Sequence, residues 1–185
     1  MSTSSAEPFA SERIGLRPIV AEDAAAMARE ANDAAVSRFT SELPFPYTLA
    51  DAQAFIASLE TRRAELKVFA IAGDEGRGAL IGVIGIKPGA DGVREVGYWL
   101  GRAHWGRGIA SRAVGELVAR LRADGPPHAG PLHAIVAHGN DASMRVLEKA
   151  GFVRQEGVVS CATRAVPCGM PATRFILAAT GKPSA

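Results

Sequence analysis

Trp105-Gly106-Arg107-Gly108-Ile109-Ala110 reads as a glycine-rich loop opening a helix, and the assignment of the remaining chain turns on it. Behind it Ile109, Ala113, Leu117 and Leu121 recur every four residues, with Val114 and Val118 beside them. That spacing places one apolar face on a helix over 108–123. Ahead of the loop, Val93–Leu100 reads as a strand. Glycines let a backbone come close to a ligand. The first N–H groups of the following helix carry partial positive charge toward the same point. Strand, loop and helix together therefore form a phosphate cradle. The Gly-Lys-Ser/Thr ending of a P-loop is missing, as is a full dinucleotide fingerprint. No adjacent residue supplies a Mg²⁺ ligand for a nucleotide. Taken alone, the loop reads equally as a plain glycine turn before a helix.

Outward from the loop, alternating elements fill the chain. Arg13–Ile19 reads as a strand ending at Pro18, and Glu22 to Arg38 as an Ala-rich helix. Ser41–Tyr47 carries two prolines and two aromatics, which makes it a stiff loop. Thr48, with Asp51 three residues on, starts a second helix running to Arg63. Leu66–Ala72, Ala79–Lys87 and Val93–Leu100 are strands joined by glycine-rich turns, the signature of antiparallel neighbours. Beyond the long helix come a buried-type strand, Leu132–Ala137, and a short helix, Asp141–Ala150, capped by Asn140 or Asp141 and stopped by Gly151. Two strands near Phe152–Ser160 and Thr173–Ala178 close the order β-α-α-β-β-β-α-β-α-β-β. The expectation is an α/β fold with a mixed, mostly antiparallel central sheet flanked by helices. Residues 1–12 read as a flexible tail without a secretory signal, and 13–180 as one domain.

Composition narrows the function. The 21 Lys and Arg against 19 Asp and Glu give a net charge of +2, too balanced to argue for nucleic acid. No apolar run approaches the roughly 18 residues of a membrane span. Two cysteines, Cys161 and Cys168, and the absence of zinc-ligand spacing fit a reduced, cytoplasmic protein with no metal site.

About thirty residues past the loop, beyond one helix and one strand, stands Asn140-Asp141-Ala142-Ser143-Met144-Arg145-Val146-Leu147-Glu148-Lys149-Ala150-Gly151-Phe152. Both segments, in this order and spacing, resemble the GNAT superfamily of N-acetyltransferases, and most closely its RimJ/RimL-type branch. The opening Arg13-Ile14-Gly15-Leu16-Arg17-Pro18 with Asp23-Ala24, and the strand Glu95-Val96-Gly97-Tyr98-Trp99-Leu100, agree with it. The likeness runs from about Arg13 to Leu177. Many relatives have Gln or Arg at the place of Trp105 and Gly at that of Ala110; Trp and Ala are both familiar in the RimJ/RimL-type branch.

The resemblance implies a fold and a donor. Strands Val93–Leu100 and Leu132–His138 would splay apart as a V that receives the pantetheine arm of acetyl-CoA. Backbone groups of Trp99 and Leu100 would pair with its amides. The N–H groups of Gly106, Arg107, Gly108, Ile109, Ala110 and Ser111 would take the pyrophosphate, with Arg102 and Arg107 either adding charge or simply solvated. Asn140 would hydrogen-bond the pantetheine arm, cap the helix, or both.

Acetyl transfer to an amine needs a proton acceptor for the amine, a donor for the thioester oxyanion, here a backbone N–H freed where the strand splays near Tyr98 or Trp99, and a partner for the departing thiolate. Glu95, on the strand entering the site, is the candidate base, with His138 the alternative. Ser143, in the first turn of the short helix, is the candidate hydroxyl beside the sulfur; its other reading is a helix-start residue satisfying backbone groups. Tyr47 either supplies a hydroxyl to the acceptor wall or packs under its Pro-rich loop. The hairpin holding Thr163-Arg164-Ala165-Val166-Pro167 would form the opposite wall and shows no acidic cluster for a polyamine. The expected acceptor is a protein N-terminus or a small-molecule amine, bound by a monomer or homodimer. The competing class is a non-catalytic acyl-CoA-binding or sensing module, which would keep the loop and Asn140 but lack a working base.

Overall fold

The computed structural model describes residues 13–63, 65–89, 93–124, 131–163, 166 and 169–178. The expected tail at 1–12, Cys168 and most of the 163–167 hairpin lie outside the described residues. Among the described residues eight strands form one sheet: β1 (Gly15–Pro18), β2 (Lys67–Ala72), β3 (Leu80–Pro88), β4 (Arg94–Leu100), β5 (Leu132–Ala137), β6 (Val153–Arg154), β7 (Val159–Cys161) and β8 (Met170–Leu177). Their order is β1-β2-β3-β4-β5-β8-β6, with β7 also paired to β8. Every pairing is antiparallel except β4 with β5. The fold is the expected mixed α/β one.

Helices cover both faces. On one lie α1 (Ala24–Ala31), α2 (Ala34–Ser37) and α3 (Leu49–Thr61), packed through Met27, Ala31, Tyr47 and Ala52 onto Ala70, Leu80 and Val83. On the other lie α4 (Ile109–Ala123) and α5 (Asp141–Lys149), packed on Ile84, Ile86, Val96, Ala134, Val136 and Phe175. The face foreseen on the long helix is the buried one, comprising Ile109, Ala113, Val114, Leu117, Val118 and Leu121. Each fully buried aliphatic side chain there stabilises the fold by about 1.5–3 kcal/mol.

Two elements differ from expectation. The helix read over 22–38 is broken at Asn32-Asp33. Asp33 caps α2 by accepting from the Ala35 N–H at 2.7 Å, and Asn32 Oδ1 accepts from the Tyr47 N–H at 3.1 Å. Short polar side chains that bond the backbone in this way compete with helix continuity. The strand read over 152–160 is two strands, β6 and β7, interrupted near Gly157, whose φ is +91°.

The feature that positions the site is the partnership of β4 and β5. Among the described residues they pair at Arg94↔Leu132 and Glu95↔His133 alone. Beyond that rung they diverge, so the expected V is present, with its apex at Glu95.

Candidate active site

A cavity of about 450 Å³ passes through this V. Its lining includes Glu95, Trp99 and Lys87 from β3 and β4, Tyr98 and Ser143 from the opposite side, and Asn140 at the end of β5. Side chains alternate along a strand. Glu95, Gly97 and Trp99 accordingly share the α1–α3 face, while Val96, Tyr98 and Leu100 share the α4–α5 face. Trp99 packs with the first helical layer and Tyr98 with the second. The candidate base and the candidate thiolate partner therefore stand on opposite faces of the sheet, and one cavity reaches both.

Ser143 is held from two sides. Its N–H donates to Asn140 Oδ1 at 3.2 Å, which makes Asn140 the N-cap of α5. Its Oγ lies 2.7 Å from the Tyr98 hydroxyl. Burial pushes the Tyr98 phenol up to about 12, against the opposing effect of the Ser143 hydrogen bond. Tyr98 thus remains a neutral hydroxyl that can donate or accept but does not readily surrender its proton. This phenol escaped the sequence reading, which considered only the main chain at Tyr98. Its signal lay in strand alternation, which sets residue 98 on the face of the Ser143 helix.

The ladder also corrects one main-chain assignment. The Gly101 N–H donates to Ile81 O at 2.9 Å. In an antiparallel ladder the residues facing a given neighbour alternate. Trp99, opposite Val83, hence turns its main-chain groups to β3, while Tyr98 and Leu100 turn theirs to the gap. Tyr98 occupies the place expected of Trp99. The Leu100 carbonyl already accepts one hydrogen bond, from Trp105 Nε1 at 2.9 Å.

The glycine loop lies outside the cavity lining, at the start of α4. Gly106 and Gly108 have φ of +74° and +70°, a left-handed backbone that favours glycine. A Cβ built on either meets nothing within 4 Å. Gly108 is the N-cap and makes no side-chain cap, so the first N–H groups of α4 keep their donors. The first turn contains no acidic residue. At its end, Nε and Nη2 of Arg112 are shielded from solvent and find no hydrogen-bond partner among the described residues. Open space, free amides and an under-used guanidinium suit a phosphate group. Arg102 lies 3.8 Å from Asp33, and Arg107 is exposed.

His138 is exposed, with Nε2 3.2 Å from Thr173 Oγ1, and does not line the cavity. Tyr47 lines the cavity, is 5% exposed, and its hydroxyl meets Met27 Sδ at 3.5 Å. No helix among the described residues is long and apolar enough to cross a membrane, and no group of His, Cys, Asp and Glu among them could hold a metal ion.

Residues 13–153 match the family model of the acetyltransferase (GNAT) domain. The chain belongs to the GNAT acetyltransferase family. The uncharacterized N-acetyltransferase p20 of Bacillus licheniformis is 32% identical over 119 residues, 60% of this GNAT chain and 64% of p20. The chain thus spans less than two thirds of that relative. Solved GNAT structures of the same fold include Mycobacterium smegmatis RimJ with CoA-disulfide, at TM-score 0.74 and 21% identity, covering 93% of this chain and 85% of that one. They also include the microcin C7 self-immunity acetyltransferase MccE with acetyl-CoA and AMP, at TM-score 0.74 and 17% identity, covering 90% and 92%.

Asn140 offers a separable test within this GNAT site. Asn140→Asp should keep its melting temperature, because Asp caps a helix about as well as Asn. An ionised Asp has no amide hydrogens to donate. Acetyl-CoA affinity should then fall by about three- to ten-fold, the worth of one hydrogen bond. Calorimetry beside thermal melts measures both, and equal affinity at equal stability would leave Asn140 a cap alone.

Proposed function

We propose that this chain is an N-acetyltransferase that moves an acetyl group from acetyl-CoA to a primary amine by direct attack in a ternary complex. The observation that carries this reading is the single cavity that joins Glu95 on one face of the sheet to Ser143 and Tyr98 on the other. Acetyl-CoA supplies an activated acyl thioester. The loop from Gly106 to Ser111 and the side chain of Asn140 bind it. Glu95 accepts the proton that the amine must lose. The hydroxyl of Ser143 donates a hydrogen bond to the departing sulfur, and Tyr98 orients that hydroxyl. The oxygen of the reacting carbonyl meets a main-chain N–H on the gap side of β4, at Tyr98. The N-acetyl specificity agrees with the name of the p20 relative.

The α1–α3 side of the cavity carries the apolar Phe39, Leu43 and Phe55, and its acids besides Glu95 are already engaged, Glu42 with Lys87 and Asp51 with the capping box at Thr48. It favours an amine on an apolar body, a peptide N-terminus or a small monoamine, over a polyamine. The test is thiol release from acetyl-CoA with peptides, monoamines and polyamines, with acetylated product identified by mass spectrometry. At least one peptide or monoamine should accelerate release well above the amine-free rate, and polyamines should lag behind it. Tight acetyl-CoA binding with no amine-dependent release across the panel would sink the enzymatic reading.

A further inference from the structure

Three polar side chains cross the sheet in one row at the apex of the V. Lys87 on β3 is opposite Glu95, and Glu95 is opposite His133 on β5. Directly opposed residues project from the same face with Cβ atoms about 4.5–5.5 Å apart. Lys87 Nζ stands 3.7 Å from Glu95 Oε1, and His133 Nε2 stands 3.4 Å from Glu95 Oε2. Each carboxylate oxygen therefore faces one partner, on the last rung before β4 and β5 part. We propose that Lys87 and His133 are positioning residues that together orient the Glu95 carboxylate for proton abstraction. This inference rests on the reading of Glu95 as the base.

The two partners act differently. The His133 side chain is 3% exposed, so the ring is held in place beside Glu95. A carboxylate accepts hydrogen bonds, so His133 serves Glu95 by presenting Nε2–H to it. The ring is confined by Gly89, where a Cβ would come within 2.8 Å of His133 Cε1. Lys87 supplies charge. Burial alone would lower its ammonium, but the hydrogen bond to Glu42 at 2.9 Å and the charge of Glu95 outweigh it and hold the group above its ordinary value. Lys87 is therefore cationic at neutral pH and holds a positive charge beside the Glu95 carboxylate. A further titratable neighbour is Cys161 on β7. Burial first, and then the charge of Glu95, raise its thiol, so it adds no charge at neutral pH. Contacts of 3.4 and 3.7 Å align the carboxylate without saturating it, which leaves lone pairs for the substrate proton.

The experiment compares Lys87→Met, His133→Leu and His133→Gln with wild type, using Glu95→Gln as reference. It reads kcat, both KM values and the pH–rate profile. Lys87→Met should lower kcat by about ten-fold or more with acetyl-CoA KM unchanged, because one of the two anchors of the carboxylate is gone. His133→Leu should lower kcat by about ten- to a hundred-fold, the scale of a small misplacement of a reacting group, with acetyl-CoA KM unchanged. His133→Gln can return an N–H to the same oxygen and should recover most of that loss. Wild-type kcat in both Lys87→Met and His133→Leu, alongside an impaired Glu95→Gln, overturns the positioning role and leaves the base intact. A fully active Glu95→Gln removes the base and this inference with it. Should His133→Leu not fold, the fall in kcat at unchanged acetyl-CoA KM in the half-buried Lys87→Met decides the matter.

Discussion

Glu95→Gln is expected to lower turnover by about 10²–10⁴-fold, the usual contribution of a general base, while acetyl-CoA affinity stays near that of wild type. Gln keeps the size of the side chain and loses its basicity. Glu95 lies at the apex of the V, on the α1–α3 face, whereas the glycine loop and Asn140 lie elsewhere, so binding of the donor and acceptance of the proton separate by position. The pH–rate profile is the sharper measurement. An acidic limb set by a carboxylate should vanish in the variant and leave only the limb of the amine's own deprotonation. Near-normal turnover with an unchanged profile would make Glu95 a structural strand residue. His138→Gln would not then be the obvious successor, because His138 is exposed and outside the cavity. Such a result would instead favour bulk water as proton acceptor, with rate coming from holding the amine against the thioester.

The second large effect is at Gly108. Its φ of +70° and ψ of +6° lie in the left-handed region, where a β-branched side chain is an outlier. Gly108→Val would cost about 1–2 kcal/mol or more to hold that backbone. The space around the position is open, so the added side chain clashes with no protein atom. Beyond that cost to the fold, ligand binding suffers in either of two ways. If the turn is kept, the valine fills the room before the helix N-terminus; if it relaxes, the amides of Ile109, Ala110 and Ser111 are re-aimed. Acetyl-CoA affinity should fall at least about ten-fold, the equivalent of 1.4 kcal/mol. Calorimetry gives the affinity, and circular dichroism shows whether α4 survives. A folded variant with unchanged affinity would remove the loop from the donor site.

Much of this architecture is legible in the sequence because it depends on local signals. The four-residue apolar period predicts 108–123 and the helix is Ile109–Ala123; the apolar run predicts Leu132–Ala137 and the strand has those bounds. Thr48 and Asp51 form the capping box that their spacing suggests. What is hidden depends on partners remote in the chain. The break at Asn32-Asp33 depends partly on the Tyr47 N–H, fifteen residues away, and Ala-rich composition carries no trace of it. The same holds for the site. Glu95, Asn140 and Ser143 are visible through the family resemblance, and all three line the cavity. Lys87, His133 and the Tyr98 phenol come from cross-strand register and from the pairing of a strand face with a helix. A sequence without its sheet order does not reveal either.

The parting of β4 and β5 has a bearing on how the protein avoids sticking to itself. Unpaired strand edges template aggregation when another chain can reach them. Here the two bare edges confront each other inside the sheet and are joined at Arg94↔Leu132 and Glu95↔His133. A foreign strand would need about 4.8 Å of clearance on each side along its length. The slot narrows to zero at the apex, so sheet growth from another molecule stalls there. A slender linear ligand carrying a few amides has no such restriction. The geometry works as a size filter, keeping main-chain hydrogen-bonding capacity open to a small molecule while denying it to other proteins.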